Sequence, residues 1–239
     1  MTQADAEIHK LNDTLASLSL GERLKYIADQ QVSAVFTTSL GIEDQVITEA
    51  IAVSGLNIRI ATLETGRLFD ETLALIDETE ERLNIRIERY QPDEAAVAGY
   101  VDAYGRNGFY ESVEARQACC HIRKLVPLAN ALKGADIWIT GLRRGQSGNR
   151  ASTPYAEYDA KRALTKVNPL ADWGIDDIHA YVAKHSVPVN PLHDRGYPSI
   201  GCAPCTRAIK PGEPERAGRW WWETDAKREC GLHLAKTSG

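Results

Sequence analysis

The 239-residue sequence has no apolar run of about 18 residues, the length that a membrane-spanning helix requires. Its first residues, MTQADAEIHKLNDTLASL, also lack the basic start and the continuous apolar stretch of a secretory signal peptide. These two absences predict a protein of the cytoplasm that has no membrane partner.

An excess of positive charge is absent too. The formal net charge is −5, which argues against non-specific nucleic-acid binding by the surface as a whole. A local basic pocket for a small anion remains compatible with that balance. With 43% hydrophobic and 26% charged residues, the composition is that of a globular protein, and no internal repeat interrupts it.

Cysteine is scarce, and its number is odd. In a reducing cytoplasm, the five cysteines are not expected to form structural disulfides. Their number favours a division into four metal ligands and one reactive thiol.

Strand-like and helix-like segments alternate up to residue 140. Parallel strands need crossover connections, so the alternation predicts a Rossmann-like α/β fold with a mostly parallel, twisted sheet that is covered on both faces. The predicted strands lie at 33–37, 57–63, 85–90 and 135–140, and the predicted helices at 5–30, 42–54, 69–83 and 118–132.

The pattern changes after residue 150. Six prolines fall between residues 186 and 218, where regular structure should be sparse. We therefore predict one α/β domain over residues 1–205 and a mobile C-terminal tail over residues 206–239. The tail contains the consecutive tryptophans 220–222, which indicate that it docks on a surface.

Cys119-Cys120 and Cys202-Ala-Pro-Cys205 supply four thiols that could hold a metal group. Four thiolates suit either a tetrahedral zinc ion or a 4Fe–4S cluster. Adjacent cysteines are poor chelators of one zinc ion, whereas the ligand positions of a cube lie further apart, so the spacing favours the cluster. A dithiol–disulfide pair and buried free cysteines are the remaining alternatives.

Cys230 is the thiol outside that set. Lys227, Arg228 and His233 lie close to it in sequence, and cationic neighbours lower the pKa of a thiol. Gly231 leaves room for a partner to approach. These features favour a nucleophile on a mobile segment over the alternative of a stray surface cysteine.

Short polar turns follow three predicted strands, at residues 37–44, 64–68 and 140–147. Ligands of parallel sheets bind at such strand ends, so the three turns should converge on one site. Hydroxyls, glycines and helix N-terminal amides can cradle phosphate or sulfate, although many turns of this kind are structural. The candidate ligand-binding residues are Ser39, Gly41, Thr65, Gly66, Arg67, Arg123, Lys124, Arg143 and Arg144, joined by Arg216 and Arg219, which either close over the same anion or keep the tail soluble.

Taken in order along the chain, these segments resemble the sulfonucleotide reductase family from residue 34 to residue 233. The resemblance rests on Ser39-Leu-Gly-Ile-Glu-Asp44, Leu63-Glu-Thr-Gly-Arg-Leu68, Cys119-Cys-His-Ile-Arg-Lys124, Trp138-Ile-Thr-Gly-Leu-Arg-Arg-Gly-Gln-Ser147, Lys166-Val-Asn-Pro-Leu170, Gly201-Cys-Ala-Pro-Cys205 and Glu229-Cys-Gly-Leu-His233. It implies an adenine nucleotide alpha hydrolase-like domain. Glu64 replaces the aspartate expected in the second motif, which removes no charge.

The resemblance implies the branch of the family that reduces adenosine 5′-phosphosulfate (APS) to sulfite and AMP, because the other branch lacks the four cysteines. The alternative is reduction of the 3′-phosphorylated nucleotide (PAPS), or of both. The implied cofactor is one 4Fe–4S cluster per chain on Cys119, Cys120, Cys202 and Cys205. The implied electron donor is a separate thioredoxin, and the expected assembly is a homo-oligomer without nucleic acid.

The same resemblance implies the roles of the reacting residues. The Cys230 thiolate attacks the sulfur of the nucleotide, with His233 beside it. Lys124, Arg216 and Arg219 offset the negative charge of the sulfate. Two rival interpretations are an ATP pyrophosphatase of the same fold, although Ser39–Asp44 lacks a double glycine, and a zinc-binding or redox-sensing regulatory module.

Overall fold

The structure, a computed structural model, describes residues 3–223 of the chain. The chain divides into two compact units. Unit 1 comprises Met1–Thr62, Glu71–Glu88 and Gly134–Asn190, and unit 2 comprises Leu63–Asp70, Arg89–Lys133 and Pro191–Gly239. Unit 2 therefore includes chain on both sides of residue 205, and the mobility of residues 206–239 stays a prediction.

Helices and strands alternate as the sequence predicts. Within the described chain the α-helices are α1 (Gln3–Ala16), α2 (Leu20–Ala28), α3 (Ile42–Val53), α4 (Asp70–Leu83), α5 (Glu94–Tyr104), α6 (Val113–Cys120), α7 (Val126–Ala131) and α8 (Ile175–His185). The strands are β1 (Ala34–Thr38), β2 (Arg59–Leu63), β3 (Ile87–Tyr90), β4 (Ile137–Ile139), β5 (Ala156–Asp159) and β6 (Leu164–Val167). None of the helices within residues 3–223 is both long and apolar enough to cross a bilayer.

The strands form a six-stranded sheet in the order β3-β2-β1-β4-β6-β5. β1 is parallel to both β2 and β4, and β4 is parallel to β6, whereas β5 runs antiparallel to β6. Helical crossovers connect β1 to β2 and β3 to β4, whereas β4 connects to β6 through 3₁₀ turns and β5. The predicted mostly parallel α/β sheet is confirmed, and the β5–β6 hairpin is an addition that the sequence pattern did not predict.

The core of unit 1 lies on both faces of the sheet. Val35 and Phe36 of β1 and all three residues of β4 are buried, as expected for parallel strands that are covered twice. Residues of α2, α3, α4 and α8 complete this core, among them Leu24, Ile47, Leu75 and Ile178. The carboxyl ends of β1 and β4 are thereby held side by side, which fixes the turns that follow them.

The predicted helix at 118–132 is interrupted in the structure. α6 ends at Cys120, a π-helical turn spans His121–Leu125, and α7 follows. Pro127 has no N–H and its ring clashes with the carbonyl four residues earlier, so a regular α-helix cannot pass through it. The N–H of Val126 instead bonds to the carbonyl of His121, five residues back.

Regular structure is sparse between residues 186 and 218, as predicted. Within this range the structure has 3₁₀ turns at His193–Arg195 and Ala203–Cys205. A small apolar cluster of unit 2 contains Phe109, Cys202, Cys205 and Trp220. Trp220 is 1% exposed, so the prediction that the tryptophan segment docks on a surface is confirmed for this residue.

Candidate active site

Four cysteines of unit 2 line one cavity. α6 carries Cys119 and Cys120 at its C-terminal end, whereas Cys202 precedes the turn at Ala203–Cys205 and Cys205 ends it. The other residues of the cavity wall are Arg67, Phe109, Arg116, Arg123, Lys124, Pro204 and Trp220. The structure therefore brings the two cysteine pairs together across about eighty residues of sequence, and surrounds them with four cationic side chains.

The Cys202–Cys205 turn is tied to the strand-end turn at Thr65. The Thr65 hydroxyl lies 3.3 Å from the Cys202 sulfur, and the N–H of Ala203 donates to the Arg67 carbonyl at 2.7 Å. Arg123 in turn donates to the Thr65 carbonyl at 2.6 Å. Three segments of unit 2 are thus fixed around the thiols.

Gly66 makes this arrangement possible. Its φ is +67°, a conformation that residues with a side chain rarely adopt, and a Cβ at this position would lie 3.2 Å from the Arg123 guanidinium. Thr65, Gly66, Arg67, Arg123 and Lys124, which were predicted to bind substrate or to act in catalysis, therefore lie at or beside the cysteine cavity.

Burial dominates the electrostatics of the thiols. Desolvation raises the pKa of Cys119, and it raises the pKa of Cys205 to about 12, with a smaller contribution from the charge of Cys202. Lys124 and Arg219 oppose the shift at Cys205. Burial thus favours the neutral form of both thiols, and a bound metal is the kind of group that ionises buried thiols outright.

Arg219 packs against the cysteine turn. It is 6% exposed, donates to the Ile200 carbonyl at 3.2 Å, and lies with its guanidinium carbon 4.7 Å from the centre of the Trp220 ring. A Cβ on Gly201 would lie against the Arg219 guanidinium, so a side chain next to Cys202 would displace this arginine from its position. Arg216 is placed differently, with its guanidinium 3.5 Å from the Ser199 hydroxyl.

Arg116, which the sequence analysis missed, lines the cavity and is paired with Glu223. Arg116, one helical turn before Cys119, donates two hydrogen bonds to the Glu223 carboxylate, at 2.7 and 2.9 Å. Burial alone would lower the pKa of Arg116, but the hydrogen bonds and charge of Glu223, with a contribution from Cys120, raise it. The signal in the sequence that could have identified Arg116 is its position on α6, the helix that carries Cys119 and Cys120.

The turns after β1 and β4 form a second cluster, in unit 1. Ser39 donates to the Asp44 carboxylate from its amide at 2.6 Å and from its hydroxyl at 2.7 Å, and α3 begins after Gly41. Burial raises the pKa of Asp44 to about 6, against these hydrogen bonds. A Cβ on Gly141 would lie 2.1 Å from an Asp44 oxygen, so the two turns are in close contact.

The neighbouring arginines 143 and 144 have different surroundings. Arg143 is 1% exposed and forms an ion pair of 2.7 Å with Glu43, which also accepts from Gln146 at 2.9 Å. Arg144 is exposed and donates to the Thr153 carbonyl at 2.9 Å. Ser39, Gly41 and Arg143 thus lie in one cluster of unit 1, in which Arg143 is already engaged by a carboxylate.

Two predicted residues, Cys230 and His233, lie outside the described residues. The convergence of the turn at 64–68 with the two turns of unit 1 stays a prediction. Within residues 3–223, no group of three or more His, Cys, Asp or Glu side chains is arranged to hold a metal ion. The four described cysteines form no disulfide.

Comparison with known sequences gives consistent matches. Residues 33–208 match the phosphoadenosine phosphosulfate reductase domain family. The adenosine 5′-phosphosulfate reductase of Sinorhizobium fredii (strain USDA 257) is 67% identical over 234 residues, which cover 98% of this chain and 93% of the relative. The enzyme of the same name from Allochromatium vinosum is 57% identical over 212 residues, which cover 89% of this chain and 83% of the relative.

Comparison with solved structures supports the fold. The crystal structure of phosphoadenylyl-sulfate (PAPS) reductase from Candida auris, in a phosphate complex, matches with a TM-score of 0.72. The match covers 87% of this chain and 98% of that one at 24% sequence identity. At this identity the likeness establishes a common α/β fold.

Proposed function

The chain belongs to the phosphoadenosine phosphosulfate reductase family, and we propose that it reduces APS to sulfite and AMP through a sulfo-cysteine intermediate on Cys230. It is an oxidoreductase that acts on the sulfur group of APS in sulfate assimilation. The observation that carries the choice of substrate is that relatives at 57% and 67% identity, aligned over most of the chain, are adenosine 5′-phosphosulfate reductases.

A 4Fe–4S cluster on the four cysteines, one per chain, is part of the proposal. The cavity provides four thiols as donors, and cluster-binding sites of this type use four thiolates. A tetrahedral zinc ion is the alternative occupant, since four thiolates suit it as well.

Buried donors at the cavity fit an anionic occupant. The indole nitrogen of Trp220 and the Nε atom of Arg219 are buried and have no hydrogen-bond partner among the described residues. An unpaired buried donor is unfavourable, and thiolate or sulfide sulfur would accept from it. When bound, the cluster would supply a fixed group that clamps the two cysteine segments together and adds negative charge beside the cationic wall.

The first chemical step uses the thiolate of Cys230. It attacks the sulfur of APS, a sulfur–sulfur bond forms, and the bond from that sulfur to the phosphate oxygen breaks. AMP leaves with the bonding electron pair, and Cys230 carries the sulfo group. The negative sulfate repels an incoming thiolate, so we assign Lys124, Arg216 and Arg219 to offset that charge.

The second step uses thioredoxin, which has two thiols. One thioredoxin thiolate attacks the Cys230 sulfur, and sulfite leaves with the electron pair of the broken bond. The second thioredoxin thiol then resolves the mixed disulfide and restores the Cys230 thiol. Thioredoxin is oxidised by two electrons, the number that the reduction of the sulfo group to sulfite requires.

Nucleotide binding is assigned to the strand-end turns. The assigned residues are Ser39, Gly41, Thr65, Gly66, Arg67, Arg123, Arg143 and Arg144. The amides at the N-terminus of α3 favour an anion, which supports a phosphate near Ser39 and Gly41. Arg143 would act mainly by holding its turn in place, because Glu43 already neutralises its charge.

The cellular setting is proposed on similar grounds. We propose the cytoplasm, where thiols such as those of the four cavity cysteines are kept reduced. Thioredoxin as donor, a homo-oligomeric assembly and the absence of a nucleic-acid partner complete the proposal.

The decisive experiment gives anaerobically purified protein thioredoxin and either APS or PAPS, and measures sulfite. We expect turnover with APS, and a Cys230→Ser variant that yields neither sulfite nor a sulfo adduct by intact mass spectrometry. Higher turnover with PAPS would favour the alternative substrate. A Cys230→Ser protein that retained full activity would refute the nucleophile assignment.

A further inference from the structure

We propose that the Arg116–Glu223 ion pair is a positioning element that delivers Cys230 to the substrate. The pair joins α6, which carries Cys119 and Cys120, to the last residue that the structure describes before Cys230. The inference rests on the proposed role of Cys230 as nucleophile. Neither Arg116 nor Glu223 contacts the substrate in this proposal.

The geometry of the pair defines one orientation. Arg116 Nε lies 2.7 Å from one Glu223 oxygen and Arg116 Nη2 lies 2.9 Å from the other. Two parallel hydrogen bonds between a planar guanidinium and a planar carboxylate restrict direction as well as distance. Both side chains are buried, with exposed fractions of 2% and 4%. The chain at Glu223 is therefore fixed to α6 in a specific manner.

A contribution to the stability of the fold does not by itself explain why a buried ion pair is present here. Removing two charges from water is costly, and well-packed apolar residues of similar volume often stabilise a protein as well or better. A buried ion pair does, however, penalise every arrangement in which the partners are separated. Its physical effect is to select one register of the C-terminal segment.

The same segment also contains Arg219, which the proposed function assigns to the sulfate of APS. Two guanidinium groups approach the Trp220 ring, with Arg116 at 5.1 Å and Arg219 at 4.7 Å from the ring centre. The N–H of Trp220 donates to the Cys205 carbonyl at 3.2 Å, and the N–H of Glu223 donates to the Trp220 carbonyl at 2.9 Å. Anchoring Glu223 thus also supports the packing of Trp220 against Arg219.

Chain length makes the anchor relevant to Cys230. Cys230 follows Glu223 by seven positions, so its backbone cannot be further than about 25 Å from the anchor. A short tether keeps the effective concentration of an attached group high, and this advantage falls when the tether becomes longer. Loss of the ion pair would move the fixed point of the tether back along the chain and slow the attack.

A second ion pair in the same region serves as a matched control. Arg207 and Glu213 also form a two-point contact, at 2.8 and 2.9 Å, but both side chains are about one-third exposed. Glu213→Gln removes a carboxylate from an arginine without touching α6. Glu223→Gln is the test variant, and Glu223→Asp keeps the charge but shortens the side chain by one methylene.

The first measurement is hydrogen exchange of the amides from Arg219 to Glu223, which does not depend on sulfur chemistry. We expect Glu223→Gln to raise their exchange rates at least tenfold, Glu223→Asp to have an intermediate effect, and Glu213→Gln to have none. If Glu223→Gln does not fold, Glu223→Asp carries the test. Unchanged exchange in the folded variants would refute the anchor.

The second measurement is the single-turnover rate of Cys230 sulfonation by APS without thioredoxin, followed by intact mass. We expect Glu223→Gln to slow sulfonation at saturating APS at least tenfold, with iron content and the Kd for AMP within twofold of the starting protein. An unchanged rate would refute the positioning role. A parallel loss of iron or AMP affinity would also refute it, because the pair would then act on the site itself.

The two measurements separate this inference from the proposed function. If the unmodified protein forms no sulfo adduct with APS, the nucleophile assignment fails, whatever the exchange data give. If it forms the adduct and Glu223→Gln forms it equally fast, only the positioning role fails.

Discussion

Arg143 and Glu43 form an ion pair of 2.7 Å in which the arginine is 1% exposed. Residues 100 positions apart in the sequence thus join the turn after β4 to the first turn of α3. Arg143 was predicted to bind substrate, and the structure shows that it also forms a buried ion pair between two turns. Variants at this position therefore affect both substrate binding and stability, and the two effects need to be measured separately.

Substitution Arg143→Ala should lower the free energy of unfolding strongly. It leaves Glu43 buried without its main partner, and breaking a buried pair on one side costs about 3–5 kcal/mol. Arg144→Ala is the control, since this exposed side chain should cost at most about 1 kcal/mol. Chemical denaturation measures both. Equal effects at the two positions would contradict the burial argument.

Asp44 should make stability depend on pH. Its folded-state pKa of about 6 lies above the ordinary value of 3.8, so between these values the folded state binds more protons than the unfolded state. Stability due to this group is therefore full below about pH 4 and decreases as the pH rises to about 6.

Substitution Asp44→Asn should remove that component and stabilise the protein at pH 7 by about 1–3 kcal/mol, since one pKa unit corresponds to about 1.4 kcal/mol. Denaturation curves between pH 4 and pH 7 measure it. Asp136→Asn is the control, because the exposed Asp136 carboxylate also accepts a hydrogen bond from a serine amide, that of Ser33. A pH profile that Asp44→Asn leaves unchanged would contradict the expectation.

Substitution Gly201→Ala should weaken substrate binding more than it affects stability. The added methyl group would meet the Arg219 guanidinium at 2.2 Å, so this flexible side chain must move. We expect the Kd for APS to rise about tenfold, the equivalent of losing about 1.4 kcal/mol. Gly99→Ala is the control, because a Cβ there meets nothing within 4 Å and alanine favours its helix. An unaltered Kd for APS would argue against the role assigned to Arg219.

Substitution Cys202→Ser should release iron. A hydroxyl is a poor substitute for a thiolate ligand of a cluster, so we expect loss of the brown colour and of most iron in the anaerobically purified protein. Cys230→Ser should keep both, because Cys230 is not one of the four proposed ligands. Metal analysis decides the outcome. Zinc in place of iron, or full iron in Cys202→Ser, would contradict the ligand assignment.

Several features followed from the sequence because they depend on local pattern. The alternation of apolar strands and amphipathic helices predicted the parallel sheet, since each segment must bury one or both faces wherever it lies. The spacing of Cys119-Cys120 and Cys202–Cys205 predicted a shared site. The strand-end turns were also predictable, because hydroxyls, glycines and cations recur directly after the strands.

Other features were decided only by the tertiary structure, since they depend on which distant residues meet. The Arg116–Glu223 pair joins residues 107 positions apart, and nothing in the sequence around either residue indicates the other. Arg143 and Arg144 are equivalent as letters, yet packing buries one and exposes the other. Sequence thus determined the kinds of elements and the chemistry available to them, whereas folding determined which charges lost contact with water and had to find partners.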